Sequence, residues 1–258
     1  MATQVNWLIG AARLAIDQAA FEEATEYCDQ AVALVSEHGE PADQATALNT
    51  RGLLARAMNH YADSVQAHQA ALPLARAAAD PGAAATALLG LAYAAMFTGD
   101  APRASSLAEE SLAQARESGD PLILAQALFF LSWVASNGAG FERAAILATE
   151  ALSLFTTLGD AGGRAEAFFV LGTVEWYSAR YREAARFFTD SANQHRAHGA
   201  EPLLARDFGG LGTALLNLGE LPRPRGAGRE PRSGAAVRGS LELGHVADAA
   251  GPRGSGRG

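Results

Sequence analysis

The chain has 258 residues, 49% of them hydrophobic, so it is long and apolar enough to bury a sizeable core. All 20 basic residues are arginines, and the absence of lysine excludes P-loop phosphate binding, pyridoxal phosphate chemistry and Schiff-base catalysis. The formal net charge is −8. Residues 221–258 hold seven arginines and three acidic residues, a balance of +4, so residues 1–220 carry −12. This negative charge argues against nucleic acid as a partner of residues 1–220.

The N-terminal segment and the cysteine count indicate where the protein resides. Arg13 and Asp17 interrupt the first apolar run and no basic region precedes it, so no signal peptide is predicted. No apolar stretch reaches the roughly 18–20 residues of a membrane helix. The single cysteine, Cys28, cannot form an internal disulfide, and we expect it to be a small buried residue between helices. A cytoplasmic protein with no membrane contact is predicted.

A repeat of 40 residues runs along the chain. Its first column holds large apolar residues: Leu8, Leu48, Leu88, Leu128, Phe168 and Phe208. The column four residues later holds small residues: Ala12, Gly52, Ala92, Ser132, Gly172 and Gly212. A column of mostly bulky residues follows at Phe21, Tyr61, Ala101, Phe141, Tyr181 and Leu221, and then a second small column at Ala24, Ser64, Ala104, Ala144 and Ala184. A fixed period of this size is typical of stacked-repeat proteins.

Each repeat is predicted to form two helices. The first helix, for example over 43–58 or 83–97, has apolar residues at helical spacing and ends in a short turn such as Thr98-Gly99-Asp100. The second helix runs to about Arg76, Arg116, Thr156 or Arg196. Between units, the Asp-Pro pairs at 80–81 and 120–121 can cap and open the next helix. Four glycines just past the helix ends are placed where a left-handed residue terminates a helix: Gly39, Gly119, Gly159 and Gly199. The predicted units are 1–40, 41–80, 81–120, 121–160 and 161–200, with a half unit at 201–220.

The small columns predict how the units stack. Where two helices cross closely, a side chain larger than Ala or Ser would push the backbones apart, and a glycine in a helix interior costs about 0.5–1 kcal/mol relative to alanine. Glycines in the first small column therefore indicate a packing demand, and Gly172→Leu is predicted to destabilise by overpacking. No unit can bury its apolar face alone, so stability is the sum over neighbouring units.

These columns resemble the tetratricopeptide repeat family. The resemblance is carried by Leu128, Leu131-Ser132, Phe141, Ala144 and Ala151, and by the corresponding residues of the next unit: Phe168, Leu171-Gly172, Tyr181, Ala184 and Ser191. It implies an all-α fold, a right-handed superhelical solenoid of stacked antiparallel helix pairs with about five repeats plus one unpaired helix. The unit is longer than the family's ~34 residues, and alanine or glutamate replaces the usual aromatic of the first helix. In its longer unit the chain is similar to the arrays of bacterial LuxR-type or maltose-activator-like regulators and signalling ATPases, which implies a sensor or autoinhibitory arm.

The pattern stops after the sixth first helix, predicted over 201–218. Prolines and glycines forbid a regular helix after it, and residues 221–258 have a disordered composition. Two interpretations remain open for this segment: a basic flexible tail, or an out-of-frame translation of GC-rich codons. Without a covering helix, the apolar residues of 201–218 would stay exposed and invite self-association.

No motif for catalysis, a cofactor or a metal ion is found. The acidic residues are scattered on faces expected to be solvated, and no serine lies in a nucleophile-elbow pattern. His195 and His198 are three residues apart at a helix end, but no third ligand accompanies them, so we expect them to be exposed. A non-enzymatic role is predicted.

A binding groove is expected on the inner wall, formed by the first helix of each unit. Projection at 3.6 residues per turn places ten candidate residues there: Asn49, Arg56, Tyr93, Phe97, Phe129, Trp133, Phe169, Thr173, Trp176 and Tyr177. The aromatic residues could instead fill gaps between helices. Two functions follow: a protein-interaction module that binds a peptide or partner segment, or a sensor whose aromatic wall in the third to fifth units binds a small molecule such as a sugar. The first is the predicted function.

Overall fold

The computed structural model describes residues 2–138, 140–197 and 199–220, and these residues form eleven α-helices and no strand. The helices are α1 (Ala2–Asp17), α2 (Phe21–His38), α3 (Pro41–Ala57), α4 (Tyr61–Ala77), α5 (Pro81–Phe97), α6 (Ala101–Ser118), α7 (Pro121–Asn137), α8 (Phe141–Leu158), α9 (Ala161–Tyr177), α10 (Tyr181–Ala197) and α11 (Glu201–Leu218). The predicted all-α architecture of five helix pairs and a further helix is confirmed. The prediction for residues 221–258 lies outside the described residues.

Aspartate caps mark the starts of α5, α6, α7 and α9. The Asp80 carboxylate accepts the Ala83 N–H at 2.9 Å, and Asp120 accepts the N–H groups of Leu122 and Ile123 at 2.8 and 3.2 Å. In both cases proline follows at the first helical position, where an N–H group would have no partner within the helix, so its absence costs no hydrogen bond. The Asp-Pro breaks between units are therefore the helix starts that the sequence predicts.

The turns between helices contain a residue with positive φ at nearly every described junction. Three of the four predicted glycine terminators adopt the left-handed conformation: Gly119, Gly159 and Gly199. Gly39 does not, because its φ of −79° and ψ of 146° are extended. There the Gln44 side-chain amide donates to the carbonyls of Val35 and Gly39, at 3.1 and 3.0 Å, and closes the helix end instead.

The odd-numbered helices form one wall of the solenoid. Each helix packs on the next one in the chain, and α1, α3, α5, α7, α9 and α11 also contact each other from unit to unit. Among the described residues, no two even-numbered helices come as close to each other along their backbones, although side-chain ion pairs such as Arg76–Glu110 and Arg143–Glu109 bridge some of them. The odd-numbered helices therefore line the inner wall, and the even-numbered helices form the outer face.

Glycine pairs from two successive units make slots for aromatic rings. The Phe188 ring of α10 enters between Gly172 of α9 and Gly210 of α11; an added Cβ would lie 2.8 Å from the ring at Gly172 and 2.7 Å at Gly210. His68, 120 residues earlier and in the same column, enters between Gly52 and Gly90 in the same way. Close contact at the small-column positions 52 and 172 is confirmed, but the neighbouring group is a side-chain ring and not the backbone of a crossing helix.

The units without such a ring fill the same space from the next helix. Ala108 and Ala148 occupy the ring column in the third and fourth units, and the following odd-numbered helices contribute the buried side chains of Phe130 and Val170 at the positions of Gly90 and Gly210. Each of these four interfaces therefore receives its larger side chain from one side only, whereas the first interface has Cys28 and Thr50 at the two positions. Gly212 differs from the expected contact point, because no atom of the described chain lies within 4 Å of an added Cβ there.

Two further expectations concern single features. Cys28 is buried, as expected, and burial together with the nearby Asp29 raises the pKa of its thiol to about 11. Among the described helices, none has the length and apolarity needed to cross a membrane.

Candidate binding groove

The ten candidate groove residues all lie on the odd-numbered helices. Asn49 and Arg56 are on α3, Tyr93 and Phe97 on α5, and the other six on α7 and α9. The helices place them on or near the inner wall, but their burial separates those that can meet a partner from those that fill the interior.

Tyr93, Phe97 and Trp133 belong to one aromatic cluster between α5 and α7. The ring centroids of Tyr93 and Phe130 are 4.2 Å apart, those of Phe130 and Trp133 are 5.6 Å apart, and those of Phe97 and Trp133 are 6.3 Å apart. Phe130 is fully buried, and Tyr93, Phe129 and Trp133 pack half-buried around the same core. In this cluster only Phe97 keeps 43% of its surface exposed.

The candidates on α9 divide in the same way. Phe169 lies between the Phe188 ring, at 5.5 Å, and the Arg206 guanidinium, at 4.0 Å from its ring centroid. Trp176 is half-buried against the core, whereas Tyr177 is 42% exposed and stacks on Phe141 at 4.8 Å.

Thr173 also lies on α9 and is half-buried. Its hydroxyl donates to the Phe169 carbonyl, at 3.0 Å. Most of the aromatic candidates are therefore partly buried between neighbouring units and only partly exposed on the inner wall. Phe97 and Tyr177 are the most exposed of them.

Asn49 is buried rather than open on the groove wall. Its side chain is 1% exposed; the amide donates to the Ala83 carbonyl at 2.8 Å, and the amide oxygen lies 3.0 Å from Nδ1 of His68. Since that oxygen can only accept, His68 donates from Nδ1. Burial, with a smaller contribution from the charge of Arg56, lowers the pKa of His68 to about 4. Asn49 therefore supports the ring in its glycine slot.

Arg56 has an unusual environment for a charged residue. Its guanidinium lies 4.4 Å from the centroid of the Tyr93 ring, and its buried Nε has no hydrogen-bond partner. The side chain is half-buried, and within the described residues it forms no ion pair, in contrast to Arg76, Arg143 and Arg206. A partly buried cation without an anion is costly unless a partner supplies one.

Two adjoining cavities open on the inner wall beside Arg56. Each has a volume of about 300 Å³, and both are lined by Arg13, Thr86, Asp120 and Ile123. One continues to the starts of α5 and α7, while the other reaches residues of α1, α3 and α7: Ile16, Leu53, Arg56, Leu122 and Gln126. The open part of the wall thus lies in the first four units and has mixed polarity.

The expectation that His195 is exposed is wrong. Its side chain is 1% exposed, with Nδ1 2.6 Å from Asp207 and Nε2 3.5 Å from Glu166, so it joins α10 to α11 and α9. Ser191 donates to the other Asp207 oxygen at 3.0 Å, and Arg206 binds both oxygens of Glu166. Burial lowers the pKa of His195, but the hydrogen bond to Asp207 and the nearby Glu166 carboxylate outweigh it and raise the pKa to about 9.

The sequence carried a signal for this network. The column of His195 contains Val35, Ala75, Ala115 and Phe155, all buried, so a histidine there must be buried with partners. His198 lies outside the described residues. Within the described ranges, no group of three or more His, Cys, Asp or Glu side chains is arranged to hold a metal ion.

Comparison with known proteins establishes the fold. No family model and no curated protein matches the sequence. The chain is similar to BtubC (BKLC) from P. vanneervenii, with a TM-score of 0.61, 17% identity and coverage of 84% of this chain and 85% of that one. It is similar to a Rap protein complexed with Competence and Sporulation Factor, with a TM-score of 0.58, 14% identity and coverage of 84% and 65%.

A third similar structure is a Signal Transduction ATPase with Numerous Domains from Pyrococcus horikoshii, which has a tetratricopeptide repeat sensor. The TM-score is 0.61 and the identity 12%, over 81% of this chain and 32% of that one. Identities this low establish the fold alone. The tetratricopeptide-repeat-like solenoid expected from the 40-residue columns is confirmed.

Proposed function

We propose that this chain is a non-catalytic regulatory module whose inner wall binds an extended segment of a partner protein. The observation that carries the proposal is the pair of adjoining cavities on the inner wall, which share Arg13, Thr86, Asp120 and Ile123. Together they form a continuous depression along four units, and a depression of mixed polarity suits a peptide with both polar and apolar side chains.

Arg56 is the proposed polar anchor of this groove. Its guanidinium is held over Tyr93, so little side-chain freedom remains to be lost on binding. Asp80 and Asp120 also line the cavities, but both carboxylates accept backbone N–H groups as helix caps. Asp17 lines the cavity beside Arg56 as well, and Arg13 and Arg56 are the two cations there that a carboxylate or a backbone carbonyl of the partner would meet.

The apolar side of the groove is the proposed site for a partner's hydrophobic side chain. Leu53, Leu122 and Ile123 line the same cavity as Arg56, and Leu122 is 39% exposed. Phe97 and Tyr177 extend the proposed surface along the wall. The other aromatic candidates support it from below, which weakens the alternative of a sugar pocket walled by aromatic rings.

The similar structures support a regulatory role of this kind. One is a Rap protein in complex with Competence and Sporulation Factor, and another contains a tetratricopeptide repeat sensor within a signal-transduction ATPase. By analogy, we propose that this chain serves a bacterial, cytoplasmic signalling or transcriptional regulator as its sensor or docking arm.

Photo-crosslinking tests the proposal. A photoreactive phenylalanine analogue replaces Leu122 in the groove or, as a matched control, the exposed Ile146 on the outer helix α8. We expect a crosslinked partner at position 122 that is absent at 146 and that is lost when Arg56→Ala is added. Equal crosslinking at both positions, or crosslinking at 122 that Arg56→Ala does not change, would contradict the proposed groove.

A further inference from the structure

A cleft on the outer face separates α2 from α4. It has a volume of about 470 Å³, its walls are formed by α2 and α4, and its floor is α3. Because it lies between even-numbered helices, it is on the face opposite the proposed groove. It therefore requires an explanation of its own.

The cleft exists where the repeat loses a leucine. In the third, fourth and fifth units the corresponding column holds Leu91, Leu131 and Leu171, all buried. In the second unit that position is Arg51, whose side chain is 52% exposed and contacts Asp29 at 3.5 Å. A guanidinium directed to the surface cannot fill the space that a leucine fills, so the cleft stays open.

The charges on the two walls differ from those at the interface between α6 and α8. Arg143 of α8 pairs with Glu109 of α6, and this pair joins the two neighbouring helices. The residues in register with that pair, 80 positions earlier, are Asp63 of α4 and Asp29 of α2, and both line the cleft. Two like charges take the place of that ion pair, so these two residues cannot join α2 to α4.

The floor of the cleft is apolar. Leu48 and Leu54 of α3 and Met58 at its C-terminal cap line it. An apolar floor below a carboxylate rim matches the long side chains of arginine and lysine, which pack their methylene stems on apolar surface and keep the charged end near water. It does not match an acidic side chain, which would face Asp29 and Asp63.

We propose that this cleft binds an arginine or lysine side chain of a partner segment, at a second interaction surface independent of the inner-wall groove. The inserted cation takes the place that Arg143 takes between α6 and α8, with its stem on the α3 floor and its charge beside Asp63 and Asp29. The Arg51–Asp29 contact is solvent-exposed and contributes little, so it does not close the site. The −12 charge of residues 1–220 attracts a basic segment to this surface.

A matched pair of peptides tests the proposal on the full chain. The probes are N-acetyl-Leu-Arg-Leu-amide and the same peptide with citrulline, which has the shape of arginine without its charge. We expect the arginine peptide to shift the backbone amide resonances of Thr25 and Gln66, which line the cleft, and to bind at least about tenfold more tightly than the citrulline peptide. Equal affinity for the two peptides, or shifts confined to the inner wall, would overturn the proposal.

Three variants distinguish binding in the cleft from general attraction of a basic peptide to the acidic surface. Asp63→Arg allows α4 to pair with Asp29 as α8 pairs with Glu109, and we expect the arginine peptide to lose measurable binding. Asp63→Asn keeps the side-chain shape and is expected to weaken binding about tenfold. Asp190→Arg makes the same change of charge on the exposed face of α10 and should bind like the parent protein. A loss of binding by Asp190→Arg equal to that of Asp63→Arg, or unchanged binding by Asp63→Asn, would refute the site.

Discussion

The glycine slot around Phe188 predicts that the effect of Gly172→Ala on the free energy of unfolding changes sign when the Phe188 ring is removed. In the parent protein, Gly172→Ala places a Cβ 2.8, 2.9 and 3.2 Å from three atoms of the ring. The ring cannot retreat, because an added Cβ at Gly210 on its other side would already lie 2.7 Å away. Overpacking costs about 1–3 kcal/mol and the gain in helix propensity returns about 0.5–1 kcal/mol, so we expect a net loss of roughly 1–2 kcal/mol.

Removing the ring removes the clash. Phe188→Ala alone should lower the free energy of unfolding by about 3–5 kcal/mol. In that background Gly172→Ala meets only the space left by the ring, so the helix-propensity term remains and we expect a stabilisation of about 0.5–1 kcal/mol.

Urea denaturation of the four proteins gives the two differences directly. Gly209→Ala is the control: an added Cβ there has no atom within 4 Å, so it should stabilise by about 0.5–1 kcal/mol in both backgrounds. The same sign for Gly172→Ala with and without the Phe188 ring would refute the slot.

Three other predictions concern the network, a turn and the exposed face of α11. Since the pKa of His195 is raised from 6.5 to about 9 in the folded state, its contribution to stability is complete below pH 6.5 and is lost as the pH rises to 9. Urea unfolding from pH 6 to 9.5 should therefore show the free energy of unfolding falling by at most about 1.4 kcal/mol per pH unit, and this fall should be absent in His195→Gln. Ala179 has a φ of 58°, so Ala179→Gly should raise the melting temperature by about 2–4 °C, whereas a loss of stability would contradict the left-handed turn. Phe208 is 45% exposed on α11, and light scattering should show concentration-dependent association that Phe208→Glu reduces; a monomer at high concentration would refute this association.

The 40-residue period was sufficient to predict the helices and their stacking, because both depend on local spacing. The helix starts at Pro81 and Pro121 and the ring contact at Gly172 depend on residues that the repeat places in fixed columns. The sequence could not show which aromatic residues stay open, since that depends on which side chains fill the space between units. Tyr93 and Trp133, for example, lie against Phe130 and are only half-exposed to the groove.

The buried polar pairs were missed for a different reason. Asn49 with His68 and His195 with Asp207 join residues 19 and 12 positions apart, on neighbouring helices. A projection of one helix at a time treats each polar side chain as a surface residue. A polar residue in a column that is otherwise apolar is the better guide, and Arg51 in its leucine column follows the same logic.

Filling these interfaces from only one side has a consequence for how the array could change in length. The unit ending at residue 80 presents the His68 ring and must be followed by Gly90, whereas the unit ending at 120 presents Ala108 and must be followed by Phe130. Deletion of residues 81–120 would bring His68 against Phe130, two rings in one slot. The repeats are therefore not interchangeable modules: each one selects its successor, and gain or loss of a unit requires a matched change in its neighbour.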